Sequence, residues 1–105
     1  MAFWDLSALQ LKEFRPGIMS VAEMGENLVM VCMEIGPGME DTGHSHPFDQ
    51  CGLVLQGEVE MFVDEERRVL RQGEAYFLPA GRRHGWKTFQ GSVRILDVSM
   101  KQPRT

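Results

Sequence analysis

Several features are scarce in this chain, and each scarcity narrows the reading. No apolar run approaches the roughly 20 residues of a membrane-spanning helix, so no membrane partner is expected. Basic residues are outnumbered by acidic ones, 11 to 15, giving a net charge of −4. Nucleic-acid-binding domains are usually basic, so no nucleic-acid partner is expected either. The start, Met1-Ala-Phe-Trp-Asp-Leu6, lacks both the basic region and the long apolar core of a secretory signal. The two cysteines, Cys32 and Cys51, are far apart and form no Cys-x-x-Cys pair. They read as buried apolar fillers in a reduced, cytoplasmic chain. There is no internal repeat, no low-complexity segment and no convincing helical pattern.

What is present suits one small β domain. The chain has 105 residues, 43% of them hydrophobic and 25% charged, an ordinary balance for a single globular domain spanning 1–105. A core this small is helped by a closed barrel or by dimerisation. Leu9 and Leu11 alternate with polar residues and favour a strand, with a short turn of helix before it as an option. Phe3 and Trp4 form an aromatic arm, either covering one end of the domain or packing on a partner subunit. Pro16-Gly17 signals a turn, and Ile18–Met24 a strand. The segment 28–35, Leu-Val-Met-Val-Cys-Met-Glu-Ile, is apolar at nearly every position, as in a strand buried on both faces. Further strands fall over 51–56, 58–64, 68–71, 75–78 and 93–100, with a hairpin turn at 64–67. Lys101–Thr105 is a polar tail expected to fray. Nine or ten short strands separated by turn signals predict an all-β sandwich or barrel.

Histidine is rare, and its placement is informative. All three histidines, His44, His46 and His84, fall in two glycine-bounded stretches, 38–57 and 73–84. Residues two apart on an extended chain face the same side, so His44, His46 and Gln50 can converge on one point. Cys51, next to Gln50, then faces away. Imidazole is the commonest protein metal ligand, and an amide oxygen is a weaker, neutral one.

The two stretches resemble the paired signature of the cupin superfamily. Gly38, His44, His46 and Gly57 match the first motif in spacing, with Gln50 where the family pattern has Glu. Gly73, Pro79, Gly81 and His84 match the second, with Thr88 in place of Asn. The resemblance implies a double-stranded β-helix, or jelly-roll barrel, holding one divalent metal on His44, His46, Gln50 and His84. Gly57 and Gly73 also have their own reason, a turn hostile to a Cβ. Pro79 fixes the backbone before the loop that delivers His84.

Three neutral imidazoles and an amide leave the full +2 charge of such an ion in place. That favours a Lewis acid over the two-histidine, one-carboxylate iron triad. Zn, Ni, Fe and Mn all remain open. Phe48, Tyr76, Trp86 and Arg82 are candidates to line a substrate pocket, with Arg82 and Arg83 suited to an anion. Asp97 is the candidate acid or base if Val93, Ile95, Asp97 and Ser99 face inward; if the other face does, it is a solvated surface residue. Among small cupins, the chain is most similar to those of pectin and alginate degradation, which open unsaturated monouronates to linear keto sugars. His44, His46, Gln50, His84 and Asp97 carry that similarity. Val98-Ser99-Met100-Lys101 departs from it, where that group has a Phe-Ser-Pro type of run and an arginine.

Three functions follow as expectations. The first is a metal-dependent isomerase or ring-opening enzyme on a small oxygenated substrate, uronates included. The second is an Fe or Mn dioxygenase of a small aromatic or diketone. The third is a binding module without turnover. A homodimer is expected because small cupins commonly pair, and Phe3, Trp4 and Phe62 are apolar groups in need of cover.

Overall fold

Turn-forming residues cut the chain into ten strands. The computed structural model describes residues 2–101, so the expectation for the tail beyond Lys101 lies outside the described residues. The strands are β1 (Lys12–Arg15), β2 (Ile18–Met24), β3 (Leu28–Ile35), β4 (Glu40–His44), β5 (Gln50–Gln56), β6 (Glu58–Val63), β7 (Glu66–Arg71), β8 (Ala75–Leu78), β9 (His84–Lys87) and β10 (Val93–Met100). Every pairing is antiparallel. One sheet has six strands in the order β1-β2-β3-β10-β5-β8, and the other four in the order β4-β9-β6-β7. This is the all-β jelly roll expected from the sequence.

The core lies between the sheets. Ile18, Ile35, Val54, Val59, Met61, Leu70, Tyr76, Leu78, Val93 and Ile95 form it. In β10 the residues Val93, Ile95 and Asp97 are buried while their neighbours are half-buried. The strand period therefore sends Asp97 inward with the apolar residues, which settles which face of β10 is internal. Gly57 and Gly73 both sit at φ 84°, a backbone region that is costly for a residue with a Cβ.

Four local expectations are revised. The first strand begins at Lys12, not Leu9, and all four of its residues are exposed. Before it, Asp5 folds the chain into a turn: its carboxylate accepts from the Ser7 backbone at 3.0 Å and hydroxyl at 2.6 Å. β3 is not buried on both faces, because only Cys32 and Ile35 are buried and Leu28 is 54% exposed. The hairpin after β6 is tighter than expected, with Val63 pairing Glu66 across Asp64-Glu65 and Asp64 at φ 53°. β4 reads Glu-Asp-Thr-Gly-His and has no apolar alternation to reveal it. Its strand form comes from pairing with β9, Glu40 opposite Lys87 and His44 opposite His84.

Candidate metal centre

The three histidines meet where the two sheets face each other. His44 ends β4 and His84 begins β9, the two paired across the four-stranded sheet. Gln50 opens β5 in the six-stranded sheet. His46 lies in the irregular connection between them. The same-side argument from strand periodicity therefore does not explain the convergence, since residues 45–49 lie in no strand and bend at 47–48. The crossing from one sheet to the other brings the residues together. That crossing is pinned: Gly81 N donates to His46 O at 2.7 Å, and Ala80 N to the Asp49 carboxylate at 2.9 Å. The Pro79–Gly81 turn is thus clasped to the histidine segment, which links the two glycine-bounded stretches physically.

Each ring has been given an orientation. His44 Nδ1 lies 2.9 Å from Asp41 Oδ2. His84 Nδ1 lies 3.3 Å from the Arg82 carbonyl, a donor's position for Nδ1–H that leaves Nε2 as the lone-pair nitrogen. His46 stacks on Phe48, ring centroids 4.7 Å apart and planes 14° from parallel. The centroid of His44 lies 4.6 Å from that of His46 and 4.5 Å from that of His84. One nitrogen from each ring falls in a group whose members are all within 4.8 Å of one another. Metal–nitrogen bonds are about 2 Å, so His44, His46 and His84 are the residues that would hold one ion after small side-chain shifts. Burial holds His46 and His84 below the ordinary imidazole value, with the neighbouring His44 adding to the effect. Neutral rings are the form that ligates.

The donor set passes a further test. Among the described residues, His84 Nε2 and Gln50 Oε1 are buried without any hydrogen-bond partner. Buried acceptors are rarely left unpaired, because the lost hydration is not replaced. Two of them beside two further imidazoles fit a cation that takes lone pairs from all four side chains.

Behind Gln50 stands a second polar group. Gln50 Nε2 donates to both oxygens of Asp97 at 3.0 Å. Tyr76 Oη donates to Asp97 Oδ2 at 2.5 Å. Burial raises the Asp97 carboxyl above its ordinary value, and those two hydrogen bonds oppose the rise. Burial, then the charge of Asp97, holds the Tyr76 phenol well above its usual range.

A cavity of about 140 Å³ opens between the sheets, its wall including His44, Gln50, His84, Tyr76, Trp86 and Asp97 at the polar end. Val31, Met33, Met61, Leu78 and Ile95 form the apolar side. Tyr76, Trp86 and Asp97 are therefore brought together as expected pocket residues. Two other candidates are not in this wall. Phe48 backs His46 instead. Arg82 is exposed, pairs with Asp64 at the β6–β7 turn and borders a separate surface depression. The carboxylate of Asp64 draws the guanidinium away from the cavity. Arg83 is likewise engaged, donating to the Thr42 carbonyl at 2.6 Å. Among the described residues, no lysine or arginine lines the cavity. Cys51 is half-buried, where a buried filler was expected, and lines a separate groove with Leu28, Gln50, Phe77, Val98 and Met100.

Two contributors, Asp41 and Gly52, were not singled out from the sequence, and Thr88 was noted there only as a motif position. Asp41 holds His44, but carries no signal beyond standing three residues before it. Gly52 leaves the space that the Tyr76 phenol occupies: a Cβ there would lie 2.3 Å from Tyr76 Oη. Thr88 is 3% exposed; its hydroxyl donates to Gly36 O at 2.7 Å and accepts from Met39 N at 2.9 Å. Its place in the second motif was the available signal.

A jelly roll with three histidines gathered between its sheets defines a class, and the comparisons with known proteins agree on it. The cupin domain family matches residues 31–99, and the chain belongs to that family. It is 34% identical over 79 residues to the pectin degradation protein KdgF of Dickeya dadantii (strain 3937), covering 73% of this chain and 72% of that one. The structure of KdgF from Halomonas sp. superposes with a TM-score of 0.84 at 26% identity, covering 98% of this chain and 96% of that one. TT1209 from Thermus thermophilus superposes with a TM-score of 0.83 at 28% identity, covering 98% and 100%.

Proposed function

We propose that this cupin is a metal-dependent isomerase that opens the ring of a small oxygenated substrate, with unsaturated uronates as the leading class. His44, His46, His84 and Gln50 are the residues that would hold one divalent transition metal. Such an ion supplies a Lewis acid that polarises a substrate oxygen. The observation that carries the reading is the inward-facing Asp97, a buried carboxylate in the same wall as two of the histidines. The relation to a pectin degradation protein supplies the substrate class.

The chain's own groups have separate tasks. Asp97 takes the proton of the substrate's anomeric hydroxyl as the carbonyl forms and the ring C–O bond breaks. Asp97 returns that proton to the released enol oxygen, and tautomerisation moves it from oxygen to carbon, so the product is an isomer of the substrate and the carboxylate is regenerated. Tyr76 steadies the carboxylate. The apolar side of the cavity excludes water, which strengthens each polar contact. The wall's lack of a lysine or arginine leaves the charge of the ion as the anchor for a uronate carboxylate.

That same lack favours one other reading. An apolar wall without a cation also suits a neutral aromatic or diketone, the substrate of a dioxygenase using Fe or Mn. Tag-free protein, purified without added metal beside a His46→Ala control, separates the readings. Zinc or nickel lost in the control, with turnover of unsaturated uronates, supports ring opening. Iron or manganese with oxygen uptake supports the dioxygenase. A metal-free protein that binds none on reconstitution overturns both and leaves a ligand-binding module. The chain is further proposed to work in the cytoplasm, as one domain and as a homodimer.

A further inference from the structure

We infer that Asp97 and Tyr76 are a positioning pair for Gln50, fixing its amide so that Oε1 is the atom presented to the histidines. The inference rests on the metal-centre reading above and adds how the fourth ligand is oriented. A glutamine ends in two atoms of nearly equal size and opposite function, an acceptor oxygen and a donor nitrogen. Shape does not choose between them; hydrogen-bond partners do. An ionised carboxylate only accepts, so it takes the amide N–H groups and repels the amide oxygen. Asp97 receives Nε2 on both of its oxygens at 3.0 Å. The amide is thereby turned, and Oε1 is left buried with no partner.

Asp97 is itself held by a rung across three strands. Asp97 of β10 stands opposite Gly52 of β5, and Gly52 stands opposite Tyr76 of β8. The middle position has no side chain. A Cβ there would lie 2.3 Å from Tyr76 Oη and 2.5 Å from Leu96 O. Gly52 is thus the gap through which the phenol reaches the carboxylate at 2.5 Å. With Tyr76 donating to Oδ2, the carboxylate is constrained from behind while Gln50 meets it from the next rung. The arrangement also accounts for glutamine at position 50, where the family pattern has glutamate. A glutamate there would set one carboxylate against another.

The test is metal affinity of the stripped 105-residue chain, measured with Co(II) by chelator competition and by the visible spectrum of the bound ion. Gln50→Ala and Asp97→Asn are each expected to weaken binding about 10-fold or more, the usual scale for a lost metal-site partner. Tyr76→Phe is expected to weaken it less, in the same direction. The decisive protein is Asp97→Asn combined with Gln50→Ala, which is expected to bind no more weakly than Gln50→Ala alone, because the carboxylate acts through the amide. Wild-type affinity and spectrum in Asp97→Asn, or losses that multiply in the double variant, would overturn the inference. If Asp97→Asn does not fold by metal-free melting, Tyr76→Phe in the same cycle decides. Wild-type affinity in Gln50→Ala removes the amide as a ligand and the inference with it, while the histidine site stands. Wild-type affinity in His46→Ala instead removes the metal reading as a whole.

Discussion

At His84 two neighbours decide what the ring does. The Arg82 carbonyl sits by Nδ1, and burial makes the charged form costly. The pKa in the folded state is lowered from the ordinary 6.5, and that of His46 is lowered too. The sign of the pH dependence follows. The unfolded chain takes up protons first, so the stability from neutral histidines is present above about 6.5. It is lost as pH falls from there through the lower folded values. Metal-free protein is expected to melt progressively lower between pH 7.5 and about 5, by a margin that shrinks in His84→Gln. A flat melting temperature across that window would contradict it. The histidines were legible because all three stood in two short, patterned stretches. Asp41 was not: an acidic residue near a histidine is common, and residue type gives no sign of the irregularity in β4 that falls between Asp41 and His44.

Among the elements, β9 depends on a loop it does not adjoin in sequence. Thr88 ends that strand by bonding the 36–39 connection, donating to Gly36 and accepting from Met39. Thr88→Val keeps the shape and removes both bonds, leaving a half-buried Met39 N–H without its protein partner. A loss of about 1–3 kcal/mol is expected, read from the urea midpoint at unchanged slope. A midpoint within error of wild type would show that the loop is held by other means. Strand alternation revealed β6, whose buried face is apolar, and showed β10 as a strand without deciding its inner face, because Asp97 shares that face with Val93 and Ile95. It missed β4, because its residues are polar and the pattern has nothing to report there. It overstated the burial of β3, because an apolar run does not say whether anything covers the second face.

For the whole molecule, the outer face of the six-stranded sheet is the open question of packing. Leu28, Phe77 and Met100 are exposed, between 48% and 60%. The apolar residues expected to seek cover were partly others. Phe3 is exposed, but Trp4 is half-buried. The Phe62 ring packs against Gly85, where no Cβ intervenes, with Arg67 5.1 Å above it. If the proposed homodimer uses the sheet face, Phe77→Asp halves the mass seen by solution scattering at micromolar concentration. A wild-type monomer would contradict the dimer itself, and a dimeric variant would move the interface elsewhere.

Residue type and spacing by themselves determined the all-β class, the glycine turns and the histidine set, because these depend on local backbone limits and on period-two patterning. The tertiary structure alone decided the rest. Pairing of β10 between β3 and β5 turned Asp97 inward, and a gap at Gly52 joined it to Tyr76. The pull of Asp64 took Arg82 out of the cavity. Each of these depends on which surfaces pack together, and on charges brought close by folding from distant parts of the chain.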